Sequence, residues 1–593
     1  MARSQQPNIV LIMADQLAPH FTGAYGHPVV KTPHMDALAA RGVRFDAAYC
    51  NSPLCAPSRF SFMSGQLVTR IAAYDNASEF TSAVPTFAHY LRGLGYRTCL
   101  SGKMHFVGPD QLHGFEERIT TDVYPSDFAW TPDWEQADER IDKWYHNMDS
   151  VREAGVAATT FQLEYDEEVG FFARRKLMQY ASENVGPFAL VASFIHPHDP
   201  YVARPEWWNL YNAGDIDMPA TDAGAVPMDA FSSRLIDGIE ASTVAVTDDQ
   251  VRNARHAYYA NISYFDSKIG EIVRTIEEIG HLDNTIFIIT ADHGDMLGER
   301  GLWYKMNFFE HSARVPLVMA GPGISPGAAS NPCSLVDILP TMLDFAAQDG
   351  TEKPTLGMAI DGRSLMPLAQ GQSDPVEEAI GEYCAEMTGH PVFMIRRGAL
   401  KYIACEGDAP LLYDVLTDPL ETRNLVDDPA YAYELQFLYQ LFDEFEASVQ
   451  QANFEDDLSL AVVRTYVEGR LDESRTSGGF FTGGITFCNL LPMRSIPFRV
   501  VVLLGMNSKE FPRQDRQDTF DLMSNNPVRG DRTRKQDDRY MFLEAMLAAR
   551  DHFVMLYTGQ SLKDNSEMSP SVFVNQLRDY FERVYQIAPS TYS

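Results

Sequence analysis

Acidic, amide and imidazole side chains follow two strand-like runs that lie far apart in the sequence. Asp15 and Gln16 come directly after the apolar run PNIVLIMA, and Asp292 and His293 come directly after TIFIITA. Hard oxygen ligands combined with one imidazole suit a divalent cation such as Ca²⁺, Mg²⁺ or Mn²⁺. Each residue alone is more often a turn or capping residue. Their joint placement after two buried strands predicts a metal site.

A second pattern is the string CAPSR at residues 55–59. A cysteine followed at +2 by proline and at +4 by arginine resembles the signature of type I sulfatases, in which that cysteine is oxidised to formylglycine. The resemblance implies that Cys55 becomes an aldehyde, binds the metal and offers a hydroxyl of its hydrate as nucleophile. Sulfate esters are poor electrophiles, so the nucleophile needs metal activation and in-line placement. The alternative is a buried structural cysteine.

Hydrogen-bond donors that suit a sulfuryl group are spread over the same part of the chain. They are Arg59, Asn76, Lys103, His105, His198 and Lys305. Charge develops on the sulfate oxygens and on the leaving alkoxide, which cations stabilise and a histidine protonates. The resemblance implies that Lys103 and Lys305 hold sulfate oxygens, that Arg59 orients the hydrated aldehyde, and that His198 serves the leaving group. Each lysine alone is more often a solvated surface charge.

Longer strings narrow the resemblance. SGKMHFVGPDQLHGFEERITTDVYPSDFAWTPD, HPHDPYVARPEWWNLY and ADHGDMLGERGLWYKMNFFEHSARVPL are very similar to the choline-sulfatase family, over about residues 7–445. The resemblance implies an aromatic and acidic box for a quaternary ammonium, with Trp130, His146 and Glu386 as its members. Ring faces and carboxylates suit a cation that cannot donate hydrogen bonds. Core packing is the alternative for Trp130.

The resemblance implies hydrolysis of choline O-sulfate to choline and sulfate, with Ca²⁺ as the preferred cation, Mg²⁺ or Mn²⁺ as alternatives, and formylglycine made from Cys55. Asp15, Gln16, Cys55, Asp292 and His293 are the expected metal ligands, although many sulfatases have an aspartate where Gln16 stands. A formylglycine-generating enzyme is the implied maturation partner. A phosphonate or phosphate monoester hydrolase on the same scaffold is the alternative enzyme.

The elements that position these residues alternate between strand and helix patterns, which predicts an α/β fold with a mostly parallel sheet whose ligands gather beyond the carboxyl ends of the strands. The resemblance implies an alkaline-phosphatase-like sulfatase fold. We expect a catalytic domain over 1–374, with a surface insertion near 206–246, and a smaller C-terminal α+β subdomain over 375–450 that ends in the helix AYAYELQFLYQLFDEF.

From about Phe454 the sequence changes character. These 140 residues carry 17 basic and 19 acidic side chains, so nearly all of the net charge of −33 lies before them. The string RVVVLLGM and the later segments resemble part of RecC, the gamma subunit of the exonuclease V helicase-nuclease. The chain therefore resembles a chimera, with an unrelated helicase-like α/β fragment over 454–593. A βαβ unit is expected there, with Tyr540, Leu543, Met546 and Leu547 on the core face of its helix.

Composition limits the remaining classes. Seven scattered cysteines without a CxxC pair favour a reducing compartment, and no apolar run is long enough for a signal peptide or a membrane span. We expect a cytoplasmic homo-oligomer without membrane contact, unless the replaced tail disturbs assembly. The acidic charge makes nucleic-acid binding unfavourable. The non-enzyme alternative is a C-terminal module that docks to a helicase-nuclease complex or DNA.

Overall fold

The computed structural model describes most of the chain in two compact units. The described residues are 6–123, 146–347, 350–376, 378–431, 497–508, 510–513, 534–560 and 566–586. Those up to residue 431 form the first unit, and those from residue 497 form the second. None of the described helices is both long and apolar enough to cross a lipid bilayer.

The first unit alternates strands and helices. Its strands are β1 (Asn8–Asp15), β2 (Val43–Phe45), β3 (Ala48–Tyr49), β4 (Arg97–Gly102), β5 (Glu117–Arg118), β6 (Gly155–Val156), β7 (Phe188–Pro197), β8 (Val202–Ala203), β9 (Thr285–Ala291), β10 (Leu317–Ala320), β11 (Gly327–Ala329), β12 (Cys333–Ser334), β13 (Glu378–Tyr383), β14 (Val392–Arg397), β15 (Leu400–Cys405) and β16 (Leu411–Asp414). Its helices are α1 (Pro33–Arg41), α2 (Cys55–Ser64), α3 (Val68–Ile71), α4 (Phe87–Gly93), α5 (Asp149–Arg152), α6 (Phe161–Ser182), α7 (Pro205–Trp208), α8 (Ala230–Gly238), α9 (Asp248–Glu278), α10 (Glu310–Ala313), α11 (Ile338–Ala346) and α12 (Met366–Ala369).

An eight-stranded sheet forms the centre of this unit, in the order β11-β2-β10-β9-β1-β7-β4-β5. The predicted α/β organisation is confirmed, but the sheet is mixed, because β10 runs antiparallel to both β9 and β2. At the middle, β1 lies parallel between β7 and β9 and is buried along its whole length. A strand buried on both faces reads as a continuous apolar run, which is why these strands were predictable.

The parallel strands at the centre bring the predicted chemistry to one edge of the sheet. Asp15 ends β1 and Asp292 follows β9, and the backbone N–H of Asp292 donates to the Ala14 carbonyl at 3.3 Å. His198 follows β7, the other neighbour of β1. The carboxyl ends of neighbouring parallel strands lie at one edge. The topology therefore collects residues that are almost 280 positions apart in the sequence.

A separate four-stranded antiparallel sheet, β13-β14-β15-β16, follows the central sheet. Its strands lie where the sequence predicted antiparallel strands of the smaller subdomain. The helix predicted after Tyr431 lies outside the described residues. The proposed domain limits at 374 and 450 stay predictions.

The segment predicted as a surface insertion is folded onto the core. It contains α8, and the side chains of Tyr211, Ile216, Phe231 and Leu235 are buried. Its weak periodicity in the sequence reflects short elements joined by turns, which a long-window pattern does not detect.

In the second unit, β17 (Phe498–Leu503) pairs parallel with β18 (Ala549–Met555), and α13 (Arg534–Ala548) connects them. A further helix, α14, spans Val572–Tyr585. The predicted βαβ unit is confirmed, but its core face was wrong: Met541, Phe542 and Ala545 are buried, whereas Tyr540, Leu543 and Leu547 are exposed. Apolar residues occupy both sides of α13, so periodicity alone could not choose between them.

A buried ion-pair cluster joins the antiparallel sheet to the central part of the first unit. The ammonium of Lys401, on β15, lies 2.9 Å from Glu310 Oε1 and 2.5 Å from Glu421 Oε1, and its side chain is fully buried. Tyr49 OH donates to Glu310 Oε1 at 3.0 Å. Removing one partner of a buried pair leaves an uncompensated charge, which is far more costly than losing a surface pair.

We expect Lys401→Ala to lower the free energy of unfolding of the first unit by about 3–5 kcal/mol, because two carboxylates lose their shared cation. The matched control is Lys353→Ala, whose side chain is 58% exposed beside Asp344; its cost should stay below about 1 kcal/mol. Urea denaturation followed by circular dichroism measures both changes. Equal costs for the two variants would contradict the structural role of the cluster.

Candidate active site

Four potential metal ligands from three segments converge at the edge of the central sheet. They are Asp15, Cys55, Asp292 and His293; one ligand atom of each lies within 4.8 Å of those of the others, and all four residues are buried. Cys55 Sγ lies 3.2 Å from His293 Nε2 and 3.7 Å from Asp15 Oδ1. Cys55 is the first residue of α2, so the positive end of that helix faces the group.

Arg59 holds the two carboxylates of this group in place. Its Nε donates to Asp292 Oδ2 at 2.8 Å and its Nη2 donates to Asp15 Oδ2 at 3.0 Å, with all three side chains fully buried. Nη1 donates to the Lys103 carbonyl at 2.6 Å and to Ser193 Oγ at 2.8 Å. Arg59 lies one helical turn after Cys55 on α2, so the +4 spacing seen in the sequence places both side chains at one site.

The donor set suits a hard divalent cation. Asp15 uses Oδ2 for Arg59 and Lys103, while its Oδ1 faces Cys55 and His293. His293 Nδ1 lies 3.0 Å from the Gly294 carbonyl, to which it donates, so Nε2 keeps its lone pair toward the ligand group. A cation here would neutralise two buried carboxylates and occupy the position that their inner oxygens share. The residues present therefore fit the metal that the sequence predicted.

Electrostatics keep Asp15 ionised. Burial alone would raise its pKa, but nearby positive charges, with Lys103 first among them, hold the pKa of Asp15 well below its usual range. Burial lowers the pKa of His293, which favours the neutral imidazole that a metal requires.

Close backbone packing fixes the loop after β9. Gly294 N donates to the Ser312 carbonyl at 2.7 Å, and a Cβ added at Gly294 would lie 2.0 Å from the carbonyl oxygen of His311. Only glycine fits so close to a neighbouring backbone. The sequence Asp-His-Gly therefore places its first two side chains at the site because its third residue lets α10 pack against the loop.

Gln16 adopts a left-handed backbone conformation, with a φ of 63°. Its N–H donates to Asp292 Oδ1 at 3.0 Å and its carbonyl accepts from Tyr258 OH at 2.6 Å, which stabilises this uncommon conformation. Its side-chain oxygen accepts from Lys305 Nζ at 2.7 Å, and its side-chain nitrogen donates to Asp295 Oδ2 at 2.8 Å. The structure thus engages the Gln16 amide with Lys305, and its role as a metal ligand stays a prediction.

Lys305 and His198 form a buried donor-acceptor pair beside Gln16. Lys305 Nζ lies 2.8 Å from His198 Nε2, and His198 Nδ1 lies 2.6 Å from the Asp199 carbonyl. An ammonium can only donate, so Nε2 is the acceptor and Nδ1 carries the proton. The pKa of Lys305 is raised because nearby anionic groups, Cys55 and Asp199 above all, outweigh the opposing effect of burial.

Two carboxylates that the sequence reasoning left without a role support this part of the site. Asp199 Oδ2 accepts from Ser150 Oγ at 3.0 Å and lies 3.3 Å from His146 Nδ1. Asp295 Oδ2 accepts from Tyr201 OH at 2.8 Å and from the Gln16 amide, and burial raises its pKa to about 6. Both lie within the quoted motifs HPHDP and DHGD, but the motif letters alone do not indicate which aspartate faces the ligand.

Asn76 and His105 lie on the helix side of Cys55. Asn76 Oδ1 accepts from the Ala56 N–H at 3.0 Å, and the Asn76 carbonyl accepts from His105 Nε2 at 3.0 Å. Asn76 therefore fixes the N-terminus of α2, where Cys55 lies. Direct contact of either residue with a substrate stays a prediction.

The predicted cation box is described in part. The His146 ring stacks on the Tyr304 ring at a centroid distance of 4.3 Å and lies 5.7 Å from the His198 ring. Burial raises the pKa of Glu386 to about 7, Asp75 raises it further, and Lys305 opposes them, which shows that Glu386 is within electrostatic reach of the site. Trp130 lies outside the described residues.

Comparison with known proteins identifies the class of this site. The sulfatase family model matches residues 7–348, and the model for the C-terminal region of N-sulphoglucosamine sulphohydrolase matches residues 298–448. The chain therefore belongs to the sulfatase family and is an enzyme of that family.

Individual relatives narrow the similarity. The chain is 49% identical to the choline-sulfatase of Rhizobium meliloti over 431 residues, which cover 72% of this chain and 83% of the relative. It is 29% identical to arylsulfatase K of Danio rerio over 444 residues, which cover 71% and 80% of the two chains. The crystal structure of the phosphonate monoester hydrolase of Agrobacterium radiobacter shares the fold, with a TM-score of 0.59, 23% identity, and coverage of 74% of this chain and 95% of that chain.

We expect Ca²⁺ to raise the melting temperature of the protein, because a cation that binds only the folded site stabilises it. Differential scanning fluorimetry after chelation with EDTA and after Ca²⁺ addition measures the shift. Asp292→Asn should abolish the Ca²⁺-dependent shift. The control Asp361→Asn, which removes a carboxylate that pairs with Arg70, should retain it. A shift of equal size in both variants would contradict the assigned ligands.

Proposed function

We propose that the protein hydrolyses choline O-sulfate to choline and sulfate, with residue 55 as formylglycine. The observation that carries the proposal is the convergence of Cys55 with two carboxylates and an imidazole around Arg59. The 49% identity to a choline-sulfatase supports the substrate. Sulfatases in general use a metal ion and formylglycine, and both fit the residues at this site.

The chain's own residues supply binding and orientation for the reaction. A divalent cation held by Asp15, Asp292, His293 and residue 55 would supply Lewis-acid polarisation of the sulfate and activation of the nucleophile when bound. Lys103 and Lys305 bind the sulfate oxygens, where negative charge accumulates in the transition state. Arg59 keeps the carboxylates and α2 in fixed register, so that residue 55 points at sulfur.

His198 handles the proton of the leaving group. Its Nδ1 proton is held by the Asp199 carbonyl, which leaves Nε2 as the nitrogen that exchanges protons. Lys305 Nζ, 2.8 Å away, passes a proton to Nε2, and His198 delivers it to the choline oxygen as the sulfur–oxygen bond breaks.

The choline end of the substrate meets aromatic and acidic groups. The stacked rings of His146 and Tyr304 offer a face for a quaternary ammonium, and the Glu386 carboxylate offers the compensating charge. Trp130 completes this box by resemblance. A cation without donors is recognised by such groups more strongly than a neutral alkyl group of the same size.

Other parts of the hypothesis stay predictions. They include the choice of Ca²⁺ over Mg²⁺ or Mn²⁺, maturation by a formylglycine-generating enzyme, a homo-oligomeric state, a cytoplasmic location and the absence of nucleic-acid binding. The two matching family models end by residue 448, so the RecC-like resemblance of 454–593, the chimera and its docking to a helicase-nuclease complex or DNA also stay predictions. In that block, Arg513 pairs with the buried Asp538 through two hydrogen bonds, as an intradomain network would.

The first functional prediction concerns substrate class. We expect kcat/KM for choline O-sulfate to exceed that for p-nitrophenyl phosphate and for a phosphonate monoester by roughly a hundredfold or more, because the cation box adds binding that those esters cannot use. Steady-state assays of one preparation measure all three values. The reverse order would favour the phosphonate or phosphate monoester hydrolase instead.

The second functional prediction concerns pH. Glu386, with a pKa of about 7 in the free protein, is neutral below that pH and attracts the cation only above it. We expect kcat/KM for choline O-sulfate to rise between pH 6 and pH 8, relative to that for p-nitrophenyl sulfate. Glu386→Gln should remove this relative rise. A relative pH profile that is the same in the variant and the unmodified protein would show that Glu386 does not hold the cation.

A further inference from the structure

One face of α8 lies against the turn that carries Glu386. Phe231, Arg234 and Gly238 are three and four positions apart, so they share one side of this helix. The Phe231 ring lies 6.0 Å from the Tyr383 ring, and Arg234 Nε donates to the Met387 carbonyl at 3.0 Å. The folded insertion therefore reaches the predicted cation box from outside.

The turn itself needs external support. Met387 has a left-handed backbone with a φ of 66°, which costs a non-glycine residue of order 1 kcal/mol. Tyr383 OH donates to the Glu386 carbonyl at 3.0 Å. A Cβ added at Gly238 would lie 2.1 Å from Met387 Sδ, so the helix and the turn are in close contact. These contacts define the direction in which Glu386 leaves the backbone.

Arg234 connects the turn to a second anchor. Its guanidinium forms a two-pronged ion pair with Asp408, in the connection between β15 and β16, with Nη1 3.0 Å from Asp408 Oδ1. Three segments thus meet at one side chain: α8, the Glu386–Met387 turn and the β15–β16 connection. A planar guanidinium fixes geometry in a way that a lysine ammonium cannot reproduce.

We propose that Arg234 is a positioning residue for cation recognition, which sets the place of the Glu386 carboxylate by holding the Glu386–Met387 turn. This inference rests on the proposed function, because it requires a cationic group on the substrate. The attraction between two charges falls with distance and with hydration, so a small displacement of the carboxylate weakens choline binding while the sulfate end stays intact.

The test compares Arg234→Ala with the unmodified protein on choline O-sulfate and on p-nitrophenyl sulfate. We expect KM for choline O-sulfate to rise roughly tenfold with kcat changed less than about twofold, and both constants for p-nitrophenyl sulfate to stay unchanged, as loss of ground-state and transition-state binding alike requires. Arg234→Lys and Asp408→Asn should give intermediate KM values. They also serve as readouts if Arg234→Ala fails to fold in a thermal-melting assay.

The matched control is Arg252→Ala, since Arg252 likewise donates to a backbone carbonyl of the insertion, that of Ile216 at 2.6 Å. It should not change the ratio of the two KM values. In a Glu386→Gln background, Arg234→Ala should add almost nothing to KM, because both changes act on one interaction. Full additivity, or equal losses on both substrates, would overturn the inference. If the unmodified protein itself showed no preference for choline O-sulfate, the proposed function would fail instead.

Discussion

The buried ion pairs of Arg59 with Asp15 and Asp292 are the interaction on which the site depends. Two carboxylates from different strand ends repel each other in a water-free place unless cations separate them. Arg59 does this on one side and leaves their inner oxygens directed at Cys55 and His293. A metal ion on the other side would complete the same charge balance, so the structural and the chemical roles of these acids coincide.

Around this centre, later segments of the first unit provide the support and the specificity. Lys401 ties the antiparallel sheet to α10, and α10 packs against Gly294 beside the metal ligands. The insertion before α9 holds the Glu386–Met387 turn through Arg234. The sulfate end is thus built on the rigid central sheet, whereas the end that recognises the alcohol is assembled from loops, where specificity can vary without disturbing the metal ligands.

The sequence allowed the central strands and the main site to be predicted, because buried parallel strands read as apolar runs and their ends carry the ligands. Asp15, Cys55, Arg59, Asp292 and His293 do meet. Other features depend on tertiary contacts that no local pattern encodes. The partners of Asp199 and Asp295 come from distant segments, the insertion folds against several loops, and the apolar residues of α13 fit either face until the sheet selects one.

The most direct test of the account relates activity to the chemical state of residue 55. Conversion of the thiol to the aldehyde lowers the mass of the peptide containing Cys55 by about 18 Da, so mass spectrometry gives the converted fraction in each preparation. With preparations made with and without a co-expressed formylglycine-generating enzyme, the account predicts that choline O-sulfatase activity is proportional to this fraction and vanishes in Cys55→Ala. Activity that is independent of the converted fraction would contradict it.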